Sequence, residues 1–80
     1  MTRDEIIGHL VAKGAKRDKA SQYADAFLQY REANENITAN GHLVRDERTM
    51  KPMPNPYLSI RKDALSVMKL LSSVKADDLW

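Results

Sequence analysis

The residues best suited to chemistry in this chain are lysines and arginines gathered around one glycine. Such side chains bind phosphate groups by charge and hydrogen bonding, and each phosphate contact on DNA releases condensed counterions. Four cations crowd around Gly14, with Asp18 as the only acid among them. This Gly14 cluster consists of Lys13, Lys16, Arg17 and Lys19. It predicts either a phosphate-contacting surface or an ordinary solvated loop.

A second cationic group, the hairpin cations, lies near the middle of the chain and consists of Arg45, Arg48 and Lys51. It is a second candidate for phosphate contact. The net charge is only +2, from 13 basic and 11 acidic residues, which is weak for a protein that binds nucleic acid alone. Useful affinity would therefore require contacts multiplied over an oligomer.

Other kinds of chemistry find no support in the sequence. There are no cysteines, which excludes disulfides, thiolate metal sites and cysteine nucleophiles. No glycine-rich phosphate loop of the G-x-x-x-x-G-K-[ST] type is present. His9 and His42 do not follow a metal-ligand pattern, and no Ser–His–Asp arrangement can be argued from spacing. We expect a protein that is not an enzyme and that uses no cofactor or metal.

The short length makes support from a partner the default expectation. For 9.1 kDa the folded surface should be roughly 4,900 Å², which buries only about 63% of the extended chain. Without disulfides or a metal, oligomerisation or a larger partner is the expected support. No apolar run approaches a membrane span, and the N-terminal segment lacks the apolar centre of a signal peptide. We therefore expect a cytoplasmic protein with no membrane contact.

Hydrophobic spacing predicts a single mainly α domain over residues 1–80. A short helix over residues 3–13 begins at the T-x-x-E capping box of Thr2 and Glu5 and ends at Gly14. A long helix over residues 18–39 follows, with Asp18 as its N-cap. Its apolar seam has the heptad spacing of a core or of a subunit interface. The interface candidates on it are Tyr23, Phe27, Tyr30, Asn34 and Ile37; Asn34 is either a tolerated polar position or one that fixes register.

Residues 42–54 read as a small β-hairpin that joins the two long, antiparallel helices, and Pro52 and Pro54 are expected to end its second arm. The last helix, over residues 56–73, has Asn55 as its N-cap and Pro56 at its first position. Its apolar arc is wider than one partner helix needs, which indicates a second chain on one side. The interface candidates here are Tyr57, Ile60, Leu65, Met68 and Leu71, together with Trp80 in a tail over residues 75–80 that either docks or frays.

The order of these pieces resembles the P27-type family of phage terminase small subunits. The resemblance covers residues 18–74, with "YADAFLQYREANENITANGHLV" before the hairpin and "NPYLSIRKDALSVMKLL" after it. No single piece is specific, but the ordered set is. The matching positions include Tyr23, Ala26, Tyr30, Ile37, Asn40, Gly41, Leu43, Val44, Asn55, Pro56, Ile60, Arg61, Ala64, Leu65 and Met68.

The resemblance implies recognition rather than catalysis. Such subunits oligomerise, recognise the packaging start on viral DNA and recruit a large subunit that holds the ATPase and nuclease, inside the bacterial host cell. This chain departs from the family in lacking the basic, Gly- and Pro-rich leader, in its Asp46-Glu47 turn and in its tail "VKADDLW". It thus resembles a small terminase trimmed to its core. It also fits a phage-satellite regulator that co-assembles with a helper phage's small subunit and redirects packaging.

Overall fold

The computed structural model describes residues 1–71, 73–76 and 79. Within them the chain forms three helices and one two-stranded antiparallel sheet. The elements are α1 Arg3–Ala12, α2 Arg17–Asn40, β1 Leu43–Arg45, β2 Pro52–Pro54 and α3 Tyr57–Leu70. The predicted mainly helical fold with a small hairpin is confirmed. Trp80 lies outside the described residues.

The Thr2 half of the capping box predicted for α1 is present, while the Glu5 carboxylate bonds the Thr2 hydroxyl. The hydroxyl of Thr2 accepts the Glu5 backbone N–H at 3.3 Å and donates to the Glu5 carboxylate at 3.1 Å. Gly14 adopts a φ of +100° just after the helix, a backbone conformation that residues with a Cβ rarely adopt. The chain therefore turns sharply at Gly14 and enters α2.

Packing and one ion pair attach α1 to α2. Ile6 and Leu10 are fully buried in the core shared by the helices. The Arg3 Nε lies 2.6 Å from Asp25 Oδ1 on α2, and the same guanidinium donates to the Ser21 hydroxyl. The hydrogen bond and charge of Asp25 raise the pKa of Arg3. Arg3 is well exposed, so buried apolar surface provides most of the attachment.

The start of α2 corrects one prediction. The helix begins at Arg17, and Asp18 lies inside its first turn. Lys16 occupies the N-cap with extended backbone angles and makes no side-chain capping bond, so Asp18 is not the N-cap. At the other end Gly41 has a φ of +84° and its N–H donates to the Ile37 carbonyl at 2.7 Å, which ends the helix.

A buried asparagine joins the end of α2 to the start of α3. The Asn55 side chain donates to Asn36 Oδ1 at 3.0 Å and to the Gly41 carbonyl at 2.9 Å, and it accepts the Tyr57 N–H at 3.0 Å. The helix begins at Tyr57 with Pro56 in the N-cap position, one residue later than predicted, but Asn55 still supplies a capping hydrogen bond to the Tyr57 N–H. Asn55 also holds the last turn of α2. With Val74 beside the start of α2, α2 and α3 run antiparallel.

The C-terminal end of α3 comes earlier than predicted. The helix ends at Leu70, because Leu71 leaves helical geometry with φ −97° and ψ 38°. The chain then folds back onto the helices, since Val74 and Ala76 are buried and Leu79 packs against the core. At the described residues the tail docks rather than frays.

The hairpin corrects the reading of its prolines. Pro52 does not end the second arm, because it is the first residue of β2, whereas Pro54 is the last residue of β2 and does end it. Cα partners are Leu43 with Pro54, Val44 with Met53 and Arg45 with Pro52. Proline is compatible with a strand where its nitrogen faces away from the partner. Alternation along β2 meets this condition at both positions, because the hydrogen-bonded pairs lie at Lys51, Met53 and Asn55.

The molecule is elongated, with extents of 49 × 22 × 18 Å. Its surface of 5800 Å² exceeds by about 900 Å² the area that the scaling rule gives for this mass. The core is one cluster along α1, α2 and α3 with the chain after α3 folded against it.

Candidate nucleic-acid and partner interfaces

The Gly14 cluster lies at the turn between α1 and α2. Lys13 is the C-cap of α1, Lys16 the N-cap of α2, and Arg17 and Lys19 lie in the first turn of α2. All four residues are exposed. A groove beside them is lined by Lys16 and Lys19 together with the segment after α3. The turn thus gathers four cations at the positively polarised end of a long helix.

The hairpin cations lie at and beside the hairpin loop. Arg45 ends β1, whereas Arg48 and Lys51 belong to the loop, and all three are exposed. The carboxylate of Asp46 accepts the Arg48 N–H at 2.8 Å, which fixes the first part of the turn. Met50 completes it with a φ of +58°.

The structure does not bring the two cationic groups together. The Gly14 cluster is at the start of α2, and the hairpin follows the end of α2. With 24 residues, α2 is about 36 Å long. One protomer therefore offers two separate cationic ends and not one continuous basic groove.

Four of the apolar residues named as interface candidates lie inside the protomer. Tyr23, Phe27, Ile37 and Met68 are buried. Tyr30, Asn34, Tyr57, Leu65 and Leu71 are half-buried, and Ile60 is exposed. The seam of α2 is accordingly occupied by this chain's own α1 and α3. Because burial and subunit contact follow the same spacing, the sequence could not separate them.

Polar contacts further tie the seam to α3. Asn34 Oδ1 accepts a hydrogen bond from the Arg61 guanidinium at 3.2 Å. The half-buried Asn34 therefore has a partner within the protomer. Next to the seam, the Arg31 guanidinium lies 5.9 Å from the centroid of the Phe27 ring, within cation–π range.

An exposed apolar surface remains on α3, and we call it the α3 stripe: Ile60, Val67 and Leu70. Their exposed fractions are 39%, 39% and 84%. The steps of seven and three residues place them on one face of the helix, as in a heptad seam. Of these three residues, only Ile60 was an interface candidate from the sequence; Val67 and Leu70 were not. The signal was available in the continuation of the same heptad spacing.

The described residues contain no group of three or more His, Asp or Glu side chains that could hold a metal ion. Across the same part of the chain, every helix is too short or too polar to cross a bilayer.

A family model for the small subunit of phage terminase matches residues 4–74. This chain belongs to the phage terminase small-subunit family. The predicted resemblance is confirmed, and the match also takes in α1, which the resemblance had left out. No curated protein and no solved structure gives a significant match.

Membership connects this small-terminase chain with phage DNA packaging. Small terminase subunits are generally regulatory and DNA-binding rather than catalytic. The exposed cations and the α3 stripe are consistent with that description.

Proposed function

We propose that this protein is an oligomeric, non-catalytic module that gives a phage or satellite packaging machine its DNA specificity. The observation that carries the proposal is the family match over residues 4–74, on a chain whose seven candidate phosphate contacts are all exposed. In this role the subunit works in the bacterial cytoplasm with the large terminase subunit as a partner.

The Gly14 cluster is the primary DNA contact in this proposal. Four cations sit at the start of α2, where no side chain caps the free amide groups and the helix dipole adds positive potential. Repeating the cluster around an oligomer multiplies phosphate contacts, which compensates for the small net charge of +2. The hairpin cations at the far end of α2 are a secondary contact.

A fluorescence anisotropy titration on duplex DNA across a salt series tests the DNA contact. The double variant Lys16→Gln/Lys19→Gln should weaken binding and lower the salt slope by about 2. Its matched control, Lys62→Gln/Lys69→Gln, removes the same charge from exposed positions on α3. Equal losses of DNA affinity in the two variants would show that the net charge of the protein, and not the Gly14 cluster, determines binding. Absence of wild-type binding at low salt would reject DNA contact by this chain alone.

Assembly through the α3 stripe is the second part of the proposal. Burying Ile60, Val67 and Leu70 against another subunit removes apolar surface that the protomer leaves in water. Leu70→Glu should leave the protomer folded, because that side chain is 84% exposed, but should lower the assembled mass in light scattering. Gln22→Glu, an equal charge change at an exposed position of α2, is the control. An unchanged mass for Leu70→Glu would remove the stripe from the interface.

An alternative function is a modulator that inserts into another phage's small-subunit oligomer and redirects packaging. The low net charge and the separation of the two cationic groups favour it, because both reduce DNA binding by this chain alone. Native mass spectrometry after mixing with a full-length small terminase subunit should then detect mixed complexes. Detection of only the two separate homo-oligomers would reject this function.

A further inference from the structure

The two edges of the β-hairpin differ in their hydrogen-bonding capacity. The Asn55 N–H donates to the His42 carbonyl at 2.8 Å, and the Asp46 N–H donates to the Lys51 carbonyl at 2.9 Å. In an antiparallel pair, opposite residues alternate between pairs that exchange hydrogen bonds and pairs that do not. These two flanking pairs fix the phase of that alternation along the whole hairpin.

The Val44–Met53 pair lies two residues from each of these flanking pairs, so it is also a hydrogen-bonded pair. Leu43 and Arg45 therefore belong to the other kind of pair, and their backbone groups point away from β2. Within the part of the chain that the structure describes, no hydrogen bond is made by the N–H or C=O of either residue. β1 thus has a free edge with two donors and two acceptors.

The outer edge of β2 cannot match this capacity. Its outward positions are Pro52 and Pro54, and proline has no N–H to donate. An added strand would find acceptors but no donors along this edge. Proline at an edge is one way in which proteins prevent further strand pairing. One edge of the hairpin is therefore blocked by sequence, and the other is open.

The open edge is also self-complementary. Two antiparallel copies of β1 related by a two-fold axis at Val44 place Leu43 of each copy opposite Arg45 of the other. Each such pair exchanges two hydrogen bonds, giving four in all. No like charges lie directly opposite, since each Arg45 faces an aliphatic side chain that is 66% exposed in the protomer. A second copy of this chain therefore pairs all the free backbone groups of Leu43 and Arg45 without placing like charges opposite each other, which an arbitrary strand need not do.

The size of the hairpin gives a reason for such pairing. Each strand has three residues, and an isolated two-stranded hairpin is marginally stable in water, whereas three or more strands reach independent stability. Most of its residues are exposed, so the helices stabilise it little. A continuous four-stranded sheet from two copies would provide the missing support.

We propose that β1 is an assembly edge that pairs antiparallel with β1 of a second copy of this chain. The inference rests on the oligomeric role proposed above, but it uses a surface separate from the α3 stripe. It assigns the hairpin to subunit contact in addition to its cationic loop.

Residue-resolved amide hydrogen exchange on the wild-type protein tests the pairing directly. At assembling concentrations the Leu43 and Arg45 amides should exchange at least about tenfold more slowly than in the dilute protomer. The Asp46 amide, already bonded within the hairpin, is the internal reference. If the Leu43 and Arg45 amides exchange as fast in the assembled protein as in the dilute protomer, this inference is overturned. The proposed role of the α3 stripe in assembly would not be affected. Failure to assemble at all would instead refute the oligomeric role.

Substitution provides a second test. Arg45→Pro removes an outward N–H without removing a bond to β2, and Arg45→Thr makes a comparable loss of charge while it keeps the N–H. The proline variant should assemble at least about tenfold more weakly than the threonine variant by sedimentation velocity. Equal assembly of the two would contradict the proposal. Protection that arises only on adding another small terminase subunit would overturn the choice of a second copy as occupant.

Discussion

The helical body and the hairpin of this small-terminase chain differ in how much of their apolar surface is buried within the protomer. The helices share one core, in which Ile6 and Leu10 are fully buried. The hairpin has no such core, and Leu43 and Met50 at its surface are 66% and 60% exposed. The difference indicates that packing within the protomer holds the helical body, whereas the hairpin has little packing of its own.

The largest effect is expected in the helical body. Phe27 is 3% exposed, so Phe27→Asp places an unpaired charge in the core. We expect the variant to lose its fold and therefore its assembly. Even Phe27→Ala should cost about 3–5 kcal/mol. Urea unfolding followed by circular dichroism measures both, with the exposed Gln29→Asp as a control. A folded, assembling Phe27→Asp protein would contradict the assignment of this residue to the core.

The next effect is expected where the two regions meet. Asn55→Ala removes a side chain that bonds Asn36, Gly41 and Tyr57. Leaving buried groups without partners should lower the free energy of unfolding by about 1–3 kcal/mol. Chemical denaturation and hairpin amide exchange measure the loss. Asn40→Ala, at the exposed end of α2, should change stability by less than about 0.5 kcal/mol. Equal losses of stability in Asn55→Ala and Asn40→Ala would show that the hydrogen bonds of Asn55 add no stability at the junction.

A smaller and opposite effect is expected at the tip of the hairpin. Met50 adopts a φ of +58°, which glycine reaches without a steric penalty. Met50→Gly should therefore stabilise the hairpin by up to about 1 kcal/mol. Slower exchange of the Asp46 amide, which donates to Lys51, is the measurement. Thr49→Gly lacks a positive φ to relieve and should not stabilise. A gain from Thr49→Gly alone would refute this reading of the turn.

The smallest effect is expected on the surface of the helical body. Arg3→Ala removes an ion pair with Asp25 that is open to solvent. Salt screens such a pair, so any loss of stability should shrink as the salt concentration rises. A double-mutant cycle with Asp25→Ala isolates the pair from other effects. A coupling that persists unchanged at high salt would show a stronger role in docking α1.

The helical body could be predicted well because its signals are local. The N-cap at Thr2 and the glycine at position 14 work through the backbone of one turn, and both are present as expected. Asn55 was read correctly as a cap, but its bonds to Asn36 and Gly41 depend on residues far along the chain. Asp18 was wrongly predicted to be the N-cap of α2, because the helix begins at Arg17, one residue before the predicted start.

The candidate interfaces were predicted less well. The spacing identified an apolar seam, yet Tyr23 and Phe27 became core while Leu70 stayed in water. The sequence showed that Pro52 and Pro54 cannot donate a backbone hydrogen bond. It did not show whether such a proline ends a strand or blocks the outer edge of one, because both roles use the same residue type. Only the pairing register distinguishes these two uses of Pro52 and Pro54.

The sequence by itself determined the mainly helical class, the family, the cationic groups and the absence of cysteine chemistry. These properties depend on residue identity and short-range spacing, which the chain carries before it folds. Tertiary structure decided which apolar residues are core, that the two cationic groups lie at opposite ends of α2, and which hairpin edge stays open. Those outcomes depend on how distant segments meet, because burial and strand pairing are properties of pairs of surfaces and not of single residues.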